Sequence, residues 1–146
     1  MEWTAKFLDG LLSVNHKPHE HKNWMVGASC LLLGFPMPVA LAHGDPVMSA
    51  WLLAVTVCSF MADFARIGTV WNVVDRWVAV AFTVHLFVLA FSCVPTLAVA
   101  NMFVVAGLLA LSQTSKTSEQ WRWRHSFWHL AMMFDIAFFL HCIYTA

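Results

Sequence analysis

Five apolar stretches dominate the chain: Trp24 to Ala42, Val47 to Phe64, Val73 to Ser92, Leu97 to Leu111 and Trp121 to Tyr144. A helix rises ~1.5 Å per residue and needs about 20 residues to cross ~30 Å of hydrocarbon, so these runs predict membrane spans. The expected fold is all-α, a polytopic membrane helical bundle of about five transmembrane helices. With 60% of residues apolar and 11% charged, water is not the main solvent. The second and fourth runs are short and would cross only with snorkelling Trp and Arg side chains or with shielding by neighbouring helices. The breaks between runs are chemically distinct. Ala42-His43-Gly44-Asp45-Pro46 is turn chemistry, Ser92-Cys93-Val94-Pro95-Thr96 interrupts a helix, and Ser112 to Glu119 is polar.

Ahead of the first run, Trp3, Phe7, Leu8, Leu11 and Leu12 recur at helical spacing with Glu2, Lys6 and Asp9 among them. Residues 1–23 therefore read as an interfacial amphipathic helix and a polar connector, and 24–146 as the transmembrane bundle. The acids in MEWTAKFLDGLL, with no basic start or small-residue cleavage site, argue against a removable targeting segment. His16, His19 and His21 in the connector are metal-ligand types. Pro18 denies them a simple helical i,i+4 pair, so a solvated loop is expected.

Threading five spans alternately through a bilayer puts Lys6, Lys17, Lys22, Arg66, Arg76, Lys116, Arg122 and Arg124, all eight basic residues, on the N-terminal side. That side is expected to be cytosol, or the matrix or stroma of an organelle inner or thylakoid membrane. Trp24, Trp71, Trp77, Trp121 and Trp123 fall near the same interface and Trp51 near the other. The formal charge is zero and the pI about 7.1, which leaves no basic stripe for a phosphate backbone and excludes nucleic acid as a partner. Cys30, Cys58, Cys93 and Cys142 lack CxxC spacing and read as buried free thiols.

The same threading gathers Ser59, Asp63, Asp75, His125 and His129 on one membrane side. Ser59 and Asp63 are four residues apart, about 40° around a helix, and so are His125 and His129, so each pair projects from one face. Ionisable groups at membrane depth cost several kcal/mol unless paired or hydrated. Asp63, His125 and His129 with an open fourth position would make a catalytic zinc shell. Asp75 would then accept a proton, and Ser59 would bind water or an oxyanion. The structural alternative pairs Asp63 and Asp75 with Arg66, Arg76, Arg122 and Arg124 to hold the helices together.

Ser59 and Asp63, the downstream Asp75 and His125-Ser126-Phe127-Trp128-His129 resemble the motifs of the CREST superfamily, which includes alkaline ceramidases and the progestin and adiponectin receptor group. In that family Ser-x-x-x-His on the second helix, an Asp beyond it and His-x-x-x-His on the last helix build a zinc hydrolase site. The resemblance covers roughly Val47 to His129 and implies roles for Ser59, Asp75, His125 and His129. Asp63 stands where the family has its first zinc-binding His, and five spans stand where the family has seven.

Deeper in the bundle, His85 and Asp135 lie at comparable heights and are expected to neutralise each other. A histidine such as His85 is also a candidate axial ligand for haem or chlorophyll, a weaker expectation than zinc. Two functions follow. The first is a small accessory subunit of a larger membrane complex, respiratory or photosynthetic, contacting membrane lipids and other membrane protein subunits and carrying a degenerate CREST-like polar cluster. The alternative is a zinc-dependent amide hydrolase of ceramidase type acting on a lipid. Short spans and little extramembrane mass favour the first.

Overall fold

Hydrocarbon offers no partner for a backbone N–H or C=O, so an apolar run that enters it must close its hydrogen bonds within itself. The computed structural model, which describes residues 12–14 and 17–146, meets this demand with helices throughout. They are α1 (Trp24–Leu32), α2 (Met37–Ala42), α3 (Pro46–Phe60), α4 (Val70–Cys93), α5 (Pro95–Gln113) and α6 (Ser118–Thr145). A π turn, Met61–Ala65, continues α3, and no strand occurs among the described residues. The interfacial helix expected over Glu2 to Leu12 lies outside the described residues except for Leu12, as does His16.

Five helical segments are long and apolar enough to cross a membrane: Trp24–Ala42, Pro46–Ala65, Val70–Cys93, Pro95–Gln113 and Ser118–Thr145. The protein is thus a multi-pass helical membrane protein. The second and fourth spans, short as apolar runs, are 20 and 19 residues long in the fold and reach about 30 Å. Helix caps account for the difference, because they lie outside the apolar runs that they extend. Asp45 accepts from Met48 N at 2.8 Å ahead of Pro46, and Pro95 opens α5 at a position where its missing N–H costs nothing. Thr69 and Asn72 form a capping box that starts α4 before its hydrophobic stretch, and Thr117 caps α6 through Gln120 N at 3.2 Å.

The first span is broken between Leu32 and Met37, where Pro36 has no N–H to give. Gly34, within the break, lets α3 approach closely, since a Cβ there would stand 3.0 Å from Thr56 Oγ1. The turn into α3 passes through Gly44 at φ 68°, a left-handed conformation that favours glycine.

Packing divides the bundle into two halves. Met48, Leu52, Phe82, Leu86, Ile136 and Leu140 belong to an apolar core shared by α3, α4 and α6. Nearer the Lys and Arg side, Val26, Cys30 and Trp121 form a smaller cluster between α1 and α6. α1 packs on α6 and α3, and α5 joins α4 to α6. The outer faces of α4 and α5 carry exposed Val84, Val88, Leu97, Phe103 and Val104, a surface suited to lipid.

Gly27 sets how closely α1 meets the π turn, because a Cβ there would lie 2.7 Å from the ring of Phe64. Gly27→Ala is expected to destabilise the bundle by ~1–3 kcal/mol through overpacking. Gly107 on α5 has open space around it, so Gly107→Ala should be neutral or stabilising by up to ~1 kcal/mol. Thermal unfolding of both variants in detergent checks the contrast, and equal effects would contradict the packing described.

Candidate metal centre

The π turn delivers the central carboxylate. Arg66 N bonds to Met61 O at 2.7 Å, an i to i+5 closure that widens the helix where Asp63 sits. Such wide turns inside helices are frequent at functional sites. Ser59 precedes the turn and donates to Asp75 Oδ1 on α4 at 2.8 Å, whereas Asp63 within it faces α6. The two residues expected on one face therefore serve the same cluster through different partners.

On α6, His125 and His129 are one turn apart, with ring centroids 4.6 Å apart in an edge-on arrangement. His125 Nε2 stands 2.9 Å from Asp63 Oδ2, and His129 Nε2 stands 3.7 Å from the same oxygen. Both imidazoles are buried. Each is held from behind by a serine: Ser112 Oγ, at the end of α5, is 2.8 Å from His125 Nδ1, and Ser29 Oγ, in α1, is 2.9 Å from His129 Nδ1. Four elements thus meet at two rings.

The hydrogen-bond network assigns the tautomer of His129. Ser29 donates its single hydroxyl hydrogen to Val26 O at 2.7 Å, so its oxygen accepts from Nδ1–H of His129. Nε2 of the neutral ring is then a bare lone pair, and it faces a carboxylate oxygen that is also an acceptor. Cys30 Sγ lies 3.7 Å from His129 Nδ1, and single donor atoms of Cys30, Asp63 and His129 all fall within 4.8 Å of one another.

All of the residues expected at the site, Ser59, Asp63, Asp75, His125 and His129, come together. The expected arginine network is met in part, through Arg76. Asp63 pairs with histidines, Arg122 with Glu119 at 3.9 Å, and Arg124 reaches Leu111 O at 3.4 Å. Arg76 donates to Ser13 O at 2.6 Å, and its charge also acts on Asp63 and Asp75. The expected His85 to Asp135 pair does not form. His85 stacks on Trp51 at 5.9 Å, and Asp135 accepts from Asn101 Nδ2 at 3.0 Å, because comparable depth on two helices does not fix which faces meet. His19 and His21 lie in the connector before α1, where Glu20 accepts from Lys17 N and His21 meets Trp121.

Ser29, Cys30 and Ser112 were not legible as site residues. Small polar side chains scatter through apolar spans, and the one signal they give is that a buried hydroxyl needs a partner. Cys30 and Cys58 are buried and all four cysteines are free, as thiols rather than disulfides.

Asp63→Ala removes the acceptor facing both imidazoles and is expected to cost ~1–3 kcal/mol of unfolding free energy in detergent. An unchanged denaturation midpoint would mean that the cluster does not hold the helices. No family model, curated protein or solved structure matches the chain, so the functional reading is carried by its own residues.

Proposed function

We propose that this chain is a CREST-like integral membrane metalloprotein in which Asp63, His125 and His129 bind one divalent ion of the zinc class. The observation that carries the reading is the facing of His129 Nε2 and Asp63 Oδ2 at 3.7 Å. Two acceptors meet there at a separation too long for a direct hydrogen bond, and a cation between them removes the conflict. Donors about 2.0 Å from a tetrahedral zinc stand about 3.3 Å apart. The two separations from Asp63 Oδ2, 2.9 and 3.7 Å, straddle that spacing. Serine partners behind both imidazoles are the orienting contacts that metal-bound histidines have.

A bound zinc ion supplies Lewis acidity and a water of lowered pKa, the two requirements of amide hydrolysis. Ser59 orients Asp75 through its hydrogen bond, and Asp75 is the carboxylate in electrostatic reach of Asp63 and His125 that would take a proton. The substrate this reading favours is the amide of a membrane lipid, since the site lies within the bundle and the CREST resemblance points to ceramidase chemistry. Full-length second and fourth spans also remove the argument that short helices must hide against partners.

The second reading is the accessory subunit of a larger membrane assembly, in which the cluster joins helices without an ion. The direct 2.9 Å contact of His125 with Asp63 favours it, because that pair satisfies itself. Metal analysis of the purified protein separates the two. The metalloprotein reading expects near-stoichiometric zinc that His129→Ala removes together with any lipid amidase activity. Absence of zinc, with co-purification of a larger assembly, would overturn it in favour of the subunit.

In either case the Lys and Arg side is proposed to face the cytosol, matrix or stroma. A cysteine introduced at Lys116 is expected to be labelled from that side and one at Asp45 from the other, in a background lacking the native thiols. Labelling of the two positions from the same side would contradict this orientation.

A further inference from the structure

We infer that Cys30 supplies a fourth donor to the centre, a thiolate that closes the shell around the ion; this rests on the metalloprotein reading above. Cys30 is wholly inaccessible, and its neighbour Ser29 already anchors His129. Donor atoms of Cys30, Asp63 and His129 lie within 4.8 Å of one another, while tetrahedral sulfur and nitrogen or oxygen donors of zinc stand about 3.5 Å apart. Cys30 Sγ meets the His129 ring from its Nδ1 side at 3.7 Å, so a rotation of the Cys30 side chain is what brings the sulfur to the ion.

Charge gives an independent reason. A divalent ion held by one carboxylate and two neutral imidazoles keeps a net charge of about +1 in a low-dielectric setting, which is costly. A Cys30 thiolate brings the centre to zero, and its proton is released as the metal–sulfur bond forms. Gly27 makes the geometry accessible, since it admits α1 against the π turn that bears Asp63. With four protein donors no position would be left for water, so hydrolysis would require the Cys30 thiolate to take up a proton and be displaced by a water molecule. Substitution of Cys30 would open that position.

Cobalt(II) is the probe. The full chain in detergent, stripped with a chelator and reloaded with Co2+, is expected to show the visible bands of four-coordinate cobalt and a near-ultraviolet thiolate-to-cobalt charge-transfer band. Cys30→Ser should lose the charge-transfer band. The combined Cys58→Ser, Cys93→Ser and Cys142→Ser variant, in which Cys30 is the one thiol left, should keep it even if Cys30→Ser fails to fold. Visible bands without charge transfer in the unmodified protein would overturn the Cys30 inference and leave the three-ligand centre standing. Loss of the charge-transfer band in the combined variant would overturn it too. No cobalt binding at all would overturn both.

Discussion

A carboxylate placed inside a membrane bundle has to be answered by its surroundings, and Asp63 organises the half of this protein that is not simply apolar. An unpaired charge at that depth costs several kcal/mol. The answer comes from α6 through His125 and His129, whose remaining nitrogens are in turn held by α5 through Ser112 and α1 through Ser29. Fixing one carboxylate therefore fixes the relative positions of three helices around the π turn. The apolar half of the bundle supplies bulk packing with no comparable direction.

The arrangement has two levels of order. Backbone hydrogen bonds and caps make each span stable in hydrocarbon regardless of its neighbours, and the polar cluster then selects which faces meet. Glycine at position 27 belongs to this second level, since it spares the space in which α1 reaches the π turn. Ser59 and Asp75 extend the cluster to α4, so every full span contributes a polar atom at one membrane side.

Much of this was legible in the sequence because it rests on period and length. Five long apolar runs sufficed for the bundle, and the i,i+4 spacing of His125 and His129 placed both rings on one face. Span ends were less legible, since Pro46, Thr69, Pro95 and Thr117 extend helices past the apolar residues that mark them. The π turn was invisible, because Met61 to Ala65 has no composition that separates it from an α-helix. Ser29 and Ser112 carry no periodic signal, and their roles appear only once helices are assembled. His85 and Asp135 illustrate the same limit: comparable positions along two helices suggest a pair, but helix rotation sends one to Trp51 and the other to Asn101.

The central claim is that Asp63, His125 and His129 surround one ion through a single carboxylate oxygen and two Nε2 atoms. Zinc K-edge X-ray absorption on the detergent-purified protein tests it most directly, since it reads the atoms around the metal rather than its amount. The account predicts a first shell of low coordination number, with outer-shell scattering from two imidazole rings, and loss of the bound zinc with that imidazole signal in His125→Ala. A shell of oxygen alone, or imidazole scattering unchanged by the substitution, would contradict it.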